Sequence, residues 1–211
     1  MRASQHDEKL LELETLQALW QKSWYEDPMC LKYSDGQDQS RMGNSGWLTL
    51  HSFYKLITFY EMPIVAIDKP YSIKLKNTKH RLTGTIDVLL TNGGVDYLAI
   101  KLVDSTYHAT KMFGANDVEM TAYRRALREE SDVAIEPTLA YFVLDPSTKD
   151  IVITKRTDLQ NAVLDETALS VINAIAAEAY YPDFGNKCHN CDYLSICDKA
   201  QWVMGTKLFK Y

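Results

Sequence analysis

Apolar positions recur at helical spacing at Leu10, Leu13, Leu16, Leu19 and Trp20, which predicts a helix over about residues 7–24. "EDPMC" breaks it, and residues 31–45, rich in Ser, Asp, Gln and Gly, read as a loop. "GWLTLHSFYKLITFYE" is a mostly apolar helix, and so largely buried. The period then changes to that of strands. "IVAIDK" and "YSIKLK" are β-rich, and "TGTIDVLL" and "VDYLAIKLV" flank the hairpin signal "TNGG". A helix follows over about 116–130, then the strands "TLAYFVL" and "DIVITK" around a Pro-Ser turn. Asp158 is the expected cap of a helix to about 179, with Leu159, Val163, Leu164, Val171, Ile172, Ile175 and Ala179 apolar. This order predicts one α/β domain with a mixed sheet between helices.

Composition changes the picture little. The chain has 211 residues, 46% hydrophobic and 24% charged, which suffices for a real core. No apolar run reaches membrane-span length, and the polar, acidic start "MRASQHDEKLLELE" lacks a signal-peptide centre. A cytoplasmic protein with no membrane partner is expected. The net charge of −5 argues against non-specific coating of nucleic acid, though not against a local basic groove.

Three of the four cysteines fall in "KCHNCDYLSIC": Cys188, Cys191 and Cys197. In a reducing compartment such bunching favours a metal or iron–sulfur site over disulfides. The fourth thiolate available is Cys30, far upstream. Zinc, with His189 as a possible ligand, and buried free cysteines are the alternatives, and spacing does not separate zinc from iron–sulfur.

The hairpin "GTIDVLLTNGGVDYLAIKLV" is the second informative stretch. Asp87 on one strand and Lys101 on its partner share a face only if paired residue numbers sum to an even value. A three-residue loop, Asn92-Gly93-Gly94, achieves this, with Thr91 opposite Val95 and Asp87 opposite position 99. Asp87 could then hold a divalent cation, and Lys101 could orient a water or steady charge on a phosphate. A solvated Asp and a surface Lys are the plain alternative.

Together, Cys30, the G-x-x-D…x-K hairpin and Cys188-x2-Cys191-x5-Cys197 resemble the PD-(D/E)xK nuclease superfamily. The likeness is to its RecB-like iron–sulfur branch, of the CRISPR-associated and AddB types. The resemblance spans nearly the whole chain. It implies a restriction-endonuclease-like core over about 46–180, with cluster-bearing segments at about 25–35 and 181–203. It also implies a 4Fe–4S cluster on Cys30, Cys188, Cys191 and Cys197, a Mg²⁺ or Mn²⁺ site, and DNA as substrate, cut by exonuclease action; protein partners are left unspecified. Residue by residue, His51 in "GWLTLHSFYK" matches the helix histidine, Asp87 the motif aspartate and Lys101 the motif lysine. Glu119 and Tyr123 in "EMTAY" match the family's Q-x-x-x-Y. The metal set implied is His51, Asp87 and Glu119. Basic residues expected near this face are Lys74, Lys76, Lys79, Arg81, Arg124, Arg125 and Arg128, the last three as DNA contacts.

The sequence departs from the family at two positions. Ala99 stands where a metal-binding Glu or Asp belongs, and Glu119 stands for the glutamine. Three readings of Ala99 stay open. It is an engineered inactivating substitution, or Glu119 supplies the carboxylate instead, or the protein is a non-cleaving module that binds DNA or a protein partner.

Overall fold

The computed structural model describes residues 11–26, 38–93, 96–104, 117–131, 135–148 and 150–179. The chain divides into two compact units, Met1–Asp165 and Glu166–Tyr211. Cys30, Cys188, Cys191 and Cys197 lie outside the described residues, as does His189.

The described elements run α1 (Leu13–Tyr25), α2 (Gln39–Tyr60), β1 (Ile64–Lys74), β2 (Arg81–Thr91), β3 (Tyr97–Val103), α3 (Val118–Glu130), β4 (Thr138–Val143), β5 (Val152–Thr154) and α4 (Asp158–Ala176). The strands form one sheet in sequence order, β1-β2-β3-β4-β5. Every pairing is antiparallel except β3–β4, which is parallel. Parallel neighbours need a crossover, and α3 lies in that connection. The α/β class with a mixed sheet agrees with the sequence. Among the described residues no helix is long and apolar enough to cross a membrane.

Alternation along the central strands builds two cores. Val88, Leu90, Leu98, Ile100, Ala140 and Phe142, all even-numbered, pack with Leu56 and Ile57 of α2. Phe53 adds an edge-on contact to Phe142 at 4.9 Å. The odd-numbered Leu89, Ala99, Val103, Leu139, Tyr141 and Val143 pack with Met120, Tyr123, Ala126 and Leu127 of α3. Beyond the centre, β1 and β2 continue as an arm. Inward positions of β1 are even up to Ala66 and odd from Lys69 onward. The switch falls at Asp68, whose φ of +49° is in the left-handed region and turns the strand over. The arm thereby adds Tyr71, Ile73 and Ile86 to the α3-side core.

Several expectations are corrected. α2 begins at Gln39, inside the stretch read as loop, because the Asp38 carboxylate caps it by accepting from the Arg41 amide at 2.7 Å. β1 is one strand, not two, since Pro70 has no ladder donor to lose on a sheet edge. Thr157, not Asp158, caps α4. The Thr157 amide donates to Gln160 Oε1 at 2.7 Å and the Gln160 amide to Thr157 Oγ1 at 3.4 Å, a reciprocal capping box. Of the apolar residues expected to bury α4, Leu164 is buried, whereas Leu159, Val163, Val171 and Ile175 are exposed.

Candidate active site

The β2–β3 register decides whether a site exists. Thr91 pairs with Tyr97 and Val88 with Ile100. The loop is thus two residues longer than expected, and Thr91 does not face Val95. The Thr91 hydroxyl donates to the Asp96 carbonyl at 2.8 Å, and the Asn92 amide donates to Asp96 Oδ2 at 2.8 Å, which fixes the longer loop. Because the extension is even, parity is kept. Asp87, Ala99 and Lys101 all project toward α3.

The hairpin's ladder stops at Val88–Ile100, one step short of Asp87. The Asp87 carboxylate takes over: Oδ2 accepts the Leu102 amide at 2.8 Å and Oδ1 accepts the Tyr123 hydroxyl at 3.0 Å. A half-buried charge inside an apolar strand is tolerable only with such donors. Tyr123 is fully buried and crosses the Tyr71 ring at 6.0 Å and 74°. Tyr71 in turn faces Gly84 of "GTID". A Cβ at Gly84 would stand 2.5 Å from the Tyr71 hydroxyl, so only glycine leaves room for that ring.

Lys101 lies between two carboxylates on α3's first turn and cap. Its ammonium is 2.9 Å from Asp117 Oδ2 and 2.5 Å from Glu119 Oε2. Asp117 is a site residue that the sequence reading missed. Its Oδ1 caps α3, accepting the Glu119 and Met120 amides at 2.9 and 3.2 Å. Its Oδ2 also accepts the Tyr141 hydroxyl at 3.1 Å, and buried Arg156 donates to that hydroxyl at 3.0 Å. An Asp directly before a helical pattern is a capping signal, and that signal was available in "NDVEM".

Electrostatics follow from this packing. Burial pulls the Lys101 ammonium down, but hydrogen bonds and charge from Glu119 and Asp117 outweigh it, leaving its pKa above the ordinary lysine value. Burial pushes the Asp117 carboxyl up, yet Lys101, the Met120 amide and Tyr141 hold it below the usual carboxylate value. Burial, then the charges of Glu119, Asp117 and Asp87, push the Tyr71 hydroxyl up to about 12. Burial and the charges of Asp87 and Glu119 raise Tyr123 in the same direction. Three carboxylates therefore surround two tyrosine hydroxyls and one lysine.

The other expected residues do not join them. His51 sits on α2, which packs on the even face, and its ring stacks on Trp47 at 5.7 Å with 3° between planes. Among the described residues no three His, Cys, Asp or Glu side chains group to hold a metal ion, so the set His51, Asp87 and Glu119 is not assembled. Ala99 is fully buried and offers no ligand. Asp117 is fully engaged by four donors. The Glu119 side chain, by contrast, is 46% exposed.

The arginines expected to meet DNA all lie against carboxylates of the chain, Arg124 buried and Arg128 exposed. Arg124 is buried, with Nε and Nη2 on Glu136 at 2.6 and 2.9 Å and Nη1 on Asp158 at 3.0 Å. Arg125 bonds Glu129, Asp165 and the Lys74 carbonyl. Arg128 lies 3.4 Å from Asp158 and 3.8 Å from Glu136.

No curated protein matches the sequence at a significant level. One solved structure, "Crystal structure of SSO0001", aligns over 88% of this chain and 78% of its own, at 14% identity and a TM-score of 0.41. The family model of the PD-(D/E)XK nuclease superfamily matches residues 2–198, nearly the full length, and the chain belongs to that superfamily.

Proposed function

We propose that this protein is a metal-dependent deoxyribonuclease whose second metal-binding carboxylate has moved from β3 to α3, as Glu119. The observation that carries the reading is the Glu119 carboxylate at 2.5 Å from Lys101, on the Asp87 side of the sheet, in a chain whose buried Ala99 cannot ligate. In this reading Asp87 and Glu119 would hold Mg²⁺ or Mn²⁺, which would supply Lewis-acid chemistry at the scissile phosphate.

The remaining roles belong to the chain's own atoms. Tyr123 and the Leu102 amide fix the Asp87 carboxylate in one orientation. Lys101 keeps its proton at neutral pH, because its carboxylate neighbours raise its pKa. It therefore acts as a hydrogen-bond donor to charge building on the phosphate, not as a base. An ammonium has three donors, and two are engaged by Asp117 and Glu119, which leaves one for substrate. Asp117 holds the lysine in place without touching substrate. The cysteine spacing fits a four-thiolate site, zinc or 4Fe–4S alike; this reading takes it as a 4Fe–4S structural tie, and iron and sulfide content of the purified protein tests that part.

The test is cleavage of end-labelled linear and circular DNA with Mg²⁺ or Mn²⁺. The parent chain is expected to cut linear DNA from its ends, and Glu119→Gln to abolish cutting. A parent that cuts nothing, with activity appearing only in Ala99→Glu, refutes the migrated carboxylate. If neither cuts, the protein is a non-cleaving module on the nuclease fold.

A further inference from the structure

Arg124 is buried, and Arg124, Arg125 and Arg128 all lie against carboxylates, which turns attention to basic residues elsewhere on the chain. Between Asp68 and Asp87 the chain carries Lys69, Lys74, Lys76, Lys79 and Arg81 and no acidic residue, in a protein of net charge −5. This stretch is the β1–β2 arm. Its inward row, Tyr71, Ile73, Leu75 and Ile86, is buried. Its outward row pairs Pro70 with Thr85, Ser72 with Thr83 and Lys74 with Arg81, all exposed. Lys76, Lys79 and His80 at the tip are exposed too. Lys69 is paired, to Glu130 at 2.6 Å. Among the described residues no carboxylate pairs with the side chains of Lys74, Lys76 or Lys79.

The outward surface thus offers cations and hydroxyls, with neither apolar anchors nor acids. Such a surface suits sugar–phosphate backbone and carries nothing to read base edges. We propose that the outward face of the β1–β2 arm is the docking surface for the nucleic-acid phosphodiester backbone. This deepens the nuclease reading and rests on it for the location of the scissile bond. β2 carries both Asp87 and Arg81, six residues apart or about 20 Å of strand, with Asp87 turned toward α3 and Arg81 on the arm's outward face.

Binding of fluorescein-labelled duplex DNA, single-stranded DNA and RNA of equal length, measured by anisotropy in EDTA, tests this without any cleavage. Lys74→Gln/Lys76→Gln/Lys79→Gln is compared with the charge-matched Lys22→Gln/Lys55→Gln/Lys155→Gln and with a Lys→Arg triple at the arm. On duplex DNA the arm variant is expected to flatten the log–log salt slope by about 2–3, since each lost phosphate contact removes about 0.9. Between 50 and 200 mM salt the parent's Kd should then rise about 40-fold more than the arm variant's. The control triple and the Arg triple should behave as the parent. Equal slopes for parent and arm variant overturn the proposal, as does a parent slope shallower than about 2 or equal losses in the control triple. Should the Gln triple not fold, the parent's slope and the Arg triple decide alone. Binding through the arm with no cleavage refutes the nuclease reading and leaves the arm standing. Cleavage with unchanged KM in the arm variant refutes the arm and leaves the nuclease.

Discussion

Asp117 joins three functions in one carboxylate, and two substitutions separate them. Asparagine caps a helix about as well as aspartate, whereas alanine does not, and the difference is about 1 kcal/mol. Asp117→Asn therefore removes the charge toward Lys101 and keeps the cap on Glu119 and Met120. The Lys101–Asp117 pair is largely covered, at 19% and 14% side-chain exposure, so screening by water is limited. A charge-assisted hydrogen bond in such a place contributes about 1.5–3 kcal/mol. Asp117→Asn should cost about 2 kcal/mol and Asp117→Ala about 3. For a unit of this size that lowers Tm by about 4–8 °C and about 6–12 °C.

The pH dependence gives the assay its sign. Asp117 has a folded pKa below its unfolded value, so its contribution is present above about pH 4 and is lost as pH falls through the folded value. Lys101 is raised, so its contribution is present below about pH 10.4 and is lost as pH rises through the folded value. The stability gap between parent and Asp117→Asn should stay level from about pH 5 to 9 and close in acid. Thermal melts of the three proteins from pH 2 to 9 measure it. A gap that persists at pH 2, or an Asn variant as stable as the parent at pH 7, refutes the ion-pair reasoning. Equal stability of the Asn and Ala variants refutes the cap.

Gly84→Ala should lower stability by about 1–3 kcal/mol, because the new methyl drives the Tyr71 ring off β2; an unchanged Tm contradicts the close approach. Tyr123→Phe leaves Asp87 Oδ1 without its described side-chain donor and should cost about 1 kcal/mol and reduce cleavage, both read on the purified variant. Arg124→Met should destabilise the protein while leaving its Kd for DNA unchanged, since its guanidinium serves Glu136 and Asp158; a selective loss of DNA affinity restores it as a phosphate contact.

The sequence made the element order legible because periodicity reports burial, and burial here is two-sided. From Val88 onward, the even and odd residues of β2, β3 and β4 serve different cores, so the hairpin stood out wherever both faces were apolar. Parity survived an error in loop length because the extension is even; a register slip of one would have put Asp87 and Lys101 on opposite faces of the sheet. Local rules failed where a side chain acts at a distance. "YRRALREE" reads as a basic, solvated helix, yet Arg124 is buried by acids twelve and thirty-four residues onward. Asp117 is marked in sequence only as a helix cap, and its link to Lys101 exists only after the crossover brings α3 over β3. Asp68 in the left-handed region is equally silent in sequence, although it decides which face of the arm is basic.

The central claim is that Glu119 shares a cation with Asp87 in place of a carboxylate at position 99. Anomalous scattering from crystals soaked in Mn²⁺, parent beside Glu119→Gln, tests it directly. The account predicts one manganese peak bridging the Asp87 and Glu119 carboxylates in the parent and none there in the Gln variant. A peak that persists without Glu119, or a parent that binds no manganese beside Asp87, contradicts it.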